Sequence, residues 1–256
     1  MGVEEYDRAF FAKQASAGNP SVARVAPLLI DWLSPKSLVD VGCGLGDWAA
    51  GFQALGIEDV TAIDGDYVDR GSLNVPADRF ESQDLSRELS VSRRYDLAVC
   101  LEVAEHLPPG RAGSFVRELT AASDVVLFSA AIPGQGGTHH INEQWPAYWA
   151  ERFAESAYRC FDCLRFRFWR DCEVAFWYRQ NLLLFARAGS EAEACLREVT
   201  ADLPSAGVRP LVHPEMLANA LSAGDYRVGS KVGPMGWFRA LPGVTARVLG
   251  RFRKRG

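Results

Sequence analysis

The sequence predicts an α/β fold, a mostly parallel sheet flanked by helices, and three observations carry that expectation. Short β-branched or apolar runs alternate with stretches of helical period, beginning with 37–41, 47–55 and 59–64. The runs 97–101 and 124–130 are almost continuously apolar, as strands covered on both faces are. Acids stand at the ends of several runs (Asp64, Asp84, Glu102), and a parallel sheet gathers strand ends at one edge, where ligands bind.

Taken in order, 6–17 reads as an amphipathic helix with Tyr6, Phe10 and Phe11 on one side, interrupted by Asn19-Pro20-Ser21. A second helix over 22–33 carries apolar residues at 22, 25, 26, 29, 30 and 33, a 3.6-residue period, and ends before Pro35. Strand 37–41 meets Gly42, Gly44 and Gly46, then a helix over 47–55 stops at Gly56. Strands follow at 59–64, 79–83, 96–101 and 124–130, with a helix over 111–122. Pro146 opens another helix, 146–158, as proline suits a first helical turn. The alternation of 161–169 and the run 177–186 read as the last two strands. Beyond 189 the pattern weakens: a helix over 191–203, a short one starting near 212, then a segment with Arg239, Arg247, Arg251, Arg253, Lys254 and Arg255 and no acid. The expected division is therefore a domain over 1–189, with leading helices in 1–34, and a C-terminal extension with a basic tail over 190–256.

Composition narrows the function classes. At 256 residues, 48% hydrophobic and 23% charged, the chain can bury a full core. A net charge of −4 argues against broad nucleic-acid binding by the body of the protein. The six cysteines sit mostly in apolar runs without a disulfide framework, and the acidic N-terminus lacks a signal-like apolar segment, so a reduced, cytoplasmic protein is expected. No apolar stretch reaches membrane-spanning length; the basic tail, with apolar residues interleaved, allows weak peripheral membrane contact. Oligomeric state is not legible.

The stretch Val39-Asp40-Val41-Gly42-Cys43-Gly44-Leu45-Gly46-Asp47 organises the chain. A dinucleotide fingerprint needs glycine at 47, which is aspartate, and Asp40 suits a ligand carrying a positive amino group better than a pyrophosphate. With Asp64, Asp84 and the run Asp96 to Leu107 in order behind it, this stretch resembles motif I of the class I S-adenosylmethionine (SAM) methyltransferases. The resemblance implies a Rossmann-like methyltransferase fold, seven strands in the order 3-2-1-4-5-7-6 with the seventh antiparallel. It implies SAM as cofactor, S-adenosylhomocysteine (SAH) as product, and cofactor contacts from Asp40, Gly42, Cys43, Gly44, Asp64, Gly65, Asp84, Leu85, Leu101 and Glu102. Asp64 is expected on the ribose and Asp84 on the adenine amino group. The leading helices would cover the methionine end, bringing Tyr6 or Gln14 near it, with a plain packing helix as the alternative. The phrases around 136–149 and 177–185 look like a subgroup from bacterial natural-product and glycan pathways, so a small-molecule or sugar acceptor is expected.

The acceptor side is read from Ile132 to Pro146. Gly134, Gly136 and Gly137 make a mobile lid, and His139 and His140 follow beyond the fifth strand, on the ligand edge. An alcohol acceptor needs a base, and imidazole titrates near neutrality. His139 or His140 is the expected base, with His106 a further candidate and Asn142, Glu143, Trp145 and Tyr148 on the substrate. Leu101-Glu102-Val103-Ala104 stands where amino-group methyltransferases of bases and protein amides carry (N/D)-P-P-aromatic, which favours a hydroxyl over N-methylation or a macromolecular target. A non-catalytic SAM-binding module is the remaining alternative. No metal is expected, because adjacent histidines usually point apart and no ligand spacing repeats; Cys160 and Cys163 read as core thiols.

Overall fold

The computed structural model describes residues 8–203 and 208–222, with side chains left undescribed at 8–19, 220 and 221. Residues 1–216 form one compact unit and 217–256 a second. Tyr6, the side chain of Gln14 and the basic tail lie outside the described residues.

Seven strands form one sheet in the order β3-β2-β1-β4-β5-β7-β6: β1 (Ser37–Val41), β2 (Asp59–Asp64), β3 (Phe80–Ser82), β4 (Leu97–Leu101), β5 (Val125–Ser129), β6 (Tyr158–Phe161) and β7 (Leu183–Arg187). Pairing is parallel from β3 through β5 and antiparallel at β5–β7 and β7–β6. The expected topology and the antiparallel seventh strand are both present. Every residue of β1, β4 and β5 is buried, which is why these strands are mostly apolar, with Ser37, Asp40 and Ser129 the buried polar exceptions.

Helices cover both faces, in two apolar clusters. On one side α1 (Arg8–Leu33) packs on α2 (Asp47–Ala54), burying Val22, Val25, Ala26 and Leu29 with Trp48, Ala49 and Phe52. On the other, α3 (Ala112–Ala122) and α4 (Pro146–Glu155) bring Phe115, Leu119, Trp149 and Phe153 against Phe128 and Phe185. Phe153 stacks on Phe185 at 3.8 Å between ring centroids, and Phe128 meets Phe153 edge-on at 5.4 Å.

Three local expectations are corrected. Asn19-Pro20-Ser21 does not split the leading helix, because α1 runs through Pro20 and Pro27. The buried stripe from Val22 to Leu29 outweighs the hydrogen bonds that proline forfeits, and the Ser21 hydroxyl accepts from the Ala175 amide at 3.0 Å. The alternating 161–169 is not a strand past Phe161: α5 (Leu164–Phe168) buries Leu164, Arg165 and Phe168, a helical set. Arg165 is fully buried because the Asp162 carboxylate pairs with its guanidinium. Likewise 177–181 belongs to α6 (Phe176–Asn181), and its buried Arg179, Gln180 and Asn181 are polar groups that a central strand would leave unpaired. The expected boundary at 189 falls in the turn before α7 (Glu191–Val199), whose Leu196 is fully buried in the core cluster of α1 and α2. A short α8 (Pro214–Ser222) follows. No helix among the described residues is long and apolar enough to cross a membrane.

The α1–α2 contact is close because residue 51 has no side chain; a Cβ there would stand 2.6 Å from both methyl carbons of Val22. Gly51→Ala should therefore destabilise the fold by about 1–3 kcal/mol from overpacking, against the roughly 1 kcal/mol that helix propensity alone would return. Urea unfolding checks this; a stabilised variant would mean that the helices do not pack this closely.

Candidate functional site

The site forms where the carboxyl ends of β1, β2, β3 and β4 meet. Leaving β1, the chain turns through Gly42, Gly44 and Gly46 at φ of 75°, 56° and 82°, a region glycine enters without cost. The Gly42 and Cys43 amides donate to the Ile63 carbonyl at 2.7 and 3.1 Å, which ties the loop to β2. A Cβ on Gly42 would come within 2.2 Å of Val103, so that glycine also makes room for the turn after β4.

Asp40 lies beneath the loop. Its carboxylate accepts from the Ala49 amide at 3.2 Å, capping α2 from a distance. Burial pushes its pKa up to about 7; the Ala49 bond opposes this, and the charges of Asp64 and Asp47 add to it. Asp64 ends β2 with its carboxylate in use on both oxygens. Oδ2 accepts from the Gly44 amide at 2.7 Å, while Oδ1 accepts from the Gly65 amide at 2.7 Å and from the Tyr67 hydroxyl. Burial still raises its pKa. Asp84, after β3, is exposed, and the Ser86 hydroxyl at 2.6 Å holds its pKa below the usual range.

After β4, Glu102 adopts φ 54°, an uncommon conformation for a residue with a side chain, and its amide donates to the Ser129 carbonyl at 3.0 Å. Its carboxylate accepts from Gln135 Nε2 at 2.9 Å and Asn181 Nδ2 at 3.1 Å. Glu105 follows in a 3₁₀ turn, Ala104–His106, and is fully buried. Its Oε1 accepts from the Ala131 amide at 3.1 Å, whereas Oε2 meets no N–H or hydroxyl donor. Burial first, then the charge of Glu102, lift the Glu105 pKa well above the carboxylate range. Burial and the neighbouring Glu102 charge thus both oppose ionisation of Glu105.

The histidines diverge. His106 and His140 meet edge-on, 4.8 Å between ring centroids. Burial and the proximity of His140 push His106 down to about 4, so it is a neutral imidazole at pH 7. His140 Nδ1 lies 3.0 Å from Glu143 Oε1. His139 takes φ 56° and faces the cavity.

These elements enclose a cavity of about 560 Å³, within the range of small-molecule sites. Its wall brings together Gly42, Gly44, Asp64, Gly65, Asp84, Leu85, Glu102, His106 and His139 from the sequence-derived candidates. Asp40, Cys43 and Leu101 lie behind the wall, and His140 packs on its outer side against His106. Asn142 is an anchor: it is buried, gives Nδ2 to the Ala104 carbonyl at 3.3 Å and accepts from Gln144 at 3.1 Å. Trp145 and Tyr148 sit at the start of α4, away from the wall. The glycine segment expected to be mobile is held: the Glu143 carboxylate accepts from Gly134 and Gly136 amides at 2.7 and 2.8 Å. Glu143 thus organises the loop from outside the cavity.

Sequence reasoning missed Tyr67, Gln135 and Asn181. Tyr67 stands three residues after an acid in a Gly-containing turn, a weak signal. Asn181 carried a stronger one, an amide opening an apolar run.

A family model described as a methyltransferase domain matches residues 14–160, more than half of the chain. No curated protein sequence matches. Among solved structures, that of magnesium protoporphyrin IX methyltransferase (ChlM) from Synechocystis PCC 6803 with bound SAH is similar at TM-score 0.50 and 19% identity, over 72% of this chain and 92% of that one. The LaPhzM structure gives TM-score 0.51 and 15% identity, over 72% and 59%. Human N-acetylserotonin methyltransferase in complex with SAM gives 0.46 and 12% over 66% of this chain, which spans 51% of that chain's length. At these identities the first two likenesses concern the fold alone.

Asp40 yields a pH prediction. Its folded pKa of about 7 exceeds the ordinary 3.8, so between these values the folded chain holds a proton that the unfolded chain has released. Stability from this group is complete below pH 4 and is lost as pH rises to 7, by at most a few kcal/mol. Asp40→Asn should remove that slope and leave the protein more stable than the parent at pH 8. Thermal unfolding of both from pH 4 to 8 checks it; parallel curves would contradict the assignment.

Proposed function

The chain belongs to the methyltransferase-domain family, and on that premise we propose that it is a SAM-dependent O-methyltransferase acting on a small-molecule or sugar hydroxyl. The observation that carries the reading is the cavity itself: the glycine loop, Asp64 and Asp84 line the same cavity as His106 and His139. When bound, SAM supplies a methyl group on a positively charged sulfur. The chain's own part is to bind, orient and take up a proton.

The residues fit the cofactor. A carboxylate offers about four lone-pair sites, and Asp64 has three occupied by Gly44, Gly65 and Tyr67. One site remains on Oδ2, and the Tyr67 hydroxyl occupies the place a ribose hydroxyl would take on Oδ1. Tyr67 yields that bond when the ribose enters. Asp84, at the rim, is poised for the adenine amino group, with Leu85 beside it. Asp40 and Asp64, which are buried, and Glu102, which is partly buried, favour a cationic ligand.

On the acceptor side, His139 rather than His140 is the base, because His139 faces the cavity while His140 is engaged by Glu143 and His106. The six free thiols agree with a reducing, cytoplasmic location.

Two measurements test this. Tyr67→Phe should bind SAM several-fold more tightly by calorimetry, since it removes a hydrogen bond to a charged group, about 1.5–3 kcal/mol before compensation, that the cofactor must displace. Weaker binding would mean that the hydroxyl itself holds the cofactor. His139→Ala should lower kcat about 10²–10⁴-fold on a hydroxyl acceptor with SAM affinity nearly unchanged. Full turnover in that variant would remove His139 from the mechanism.

A further inference from the structure

Behind the acceptor end of the cavity, Glu105, His106 and His140 offer ligand atoms that all lie within 4.8 Å of one another. We propose that these three residues bind one divalent transition-metal ion, which holds the oxygen of the acceptor at the cavity wall. The inference rests on the O-methyltransferase reading and deepens it.

Three features point to a cation. Glu105 Oε2 is buried without an N–H or hydroxyl donor, so an electron-rich oxygen is presented to the cluster. The two imidazoles stand 4.8 Å apart at 87°, matching the roughly 4.5–5.3 Å expected between ring centres of two histidines sharing an ion at about 2.1 Å from each nitrogen. Glu143 Oε1, 3.0 Å from His140 Nδ1, takes that ring's N–H and leaves the Nε2 lone pair as ligand, the carboxylate–histidine arrangement typical behind metal-bound imidazoles.

The adjacent pair His139-His140 does point two ways; the ligand partner of His140 is His106, 34 residues earlier. Two imidazoles and one carboxylate favour Mn²⁺, Fe²⁺, Co²⁺ or Zn²⁺ over Mg²⁺ or Ca²⁺, and three protein ligands leave positions for a substrate oxygen. An acceptor hydroxyl on the ion becomes more acidic. Its proton passes to His139, its oxygen lone pair forms the new C–O bond, and the methyl C–S bond breaks with its electron pair remaining on sulfur.

The test uses the full, untagged chain, stripped with EDTA and saturated with SAH, titrated with Mn²⁺ and Zn²⁺ by calorimetry and with Mn²⁺ by electron paramagnetic resonance. One ion per chain is expected. Binding should be lost in Glu105→Gln and His140→Asn, with His106→Asn as a further variant should either misfold, and weakened about 10–100-fold in Glu143→Gln. SAH binding serves as the folding control. If the wild-type chain binds SAH but neither ion at 1 mM, or if ion affinity survives in well-folded Glu105→Gln and His140→Asn, the proposal is overturned and the methyltransferase reading stands. If the wild-type chain binds no SAH, that reading falls as well.

Discussion

Four carboxyl groups crowded at one edge of a parallel sheet set the terms for the rest of this structure. Asp40 and Asp64 come from β1 and β2, and Glu102 and Glu105 follow β4; parallel pairing of β2, β1 and β4 leaves them no choice but to converge. Asp40, Asp64 and Glu105 are buried and Glu102 partly so; burial makes each resist ionisation, and neighbouring acids raise Asp40 and Glu105 further. The chain answers with backbone amides on Asp64, a remote cap on Asp40, amide side chains on Glu102, and the Ala131 amide on Glu105. That leaves an edge rich in electrons and short of positive charge.

The proposed ligands follow from that shortage. A sulfonium cofactor brings one cation to the glycine-loop side, and a divalent ion would bring another to the histidine side. The strained residues belong to the same economy of space. Glu102 and His139 hold left-handed backbone on the cavity wall, where the surrounding hydrogen bonds of Ser129, Gln135 and Asn181 fix Glu102 in place.

The sheet was legible in the sequence because its signal is burial. Strands covered on both faces must be largely apolar, and the glycine loop has few alternative explanations. The failures share one cause, a local pattern with a period that tertiary packing overrides. Leu164-Arg165-Phe166 alternates like a strand, yet Arg165 is carried into the interior by Asp162, which no alternation rule anticipates. Pro20 reads as a break, yet the stripe after it keeps α1 whole. At the site, residues on strand ends were readable from order alone. Tyr67, the pairing of His106 with His140 and the inward carboxyl of Glu105 depend on how loops fold back, which sequence order does not encode.

The central claim is that the carboxyl edge is an over-crowded anionic site relieved by a cationic ligand. Calorimetry of SAM binding near pH 6.5, in buffers of different ionisation enthalpy, counts the protons exchanged. The account predicts net proton release on binding, because an arriving cation lets Asp40 and its neighbours ionise, and less release in Asp40→Asn. Binding without proton exchange, or with uptake, would contradict it.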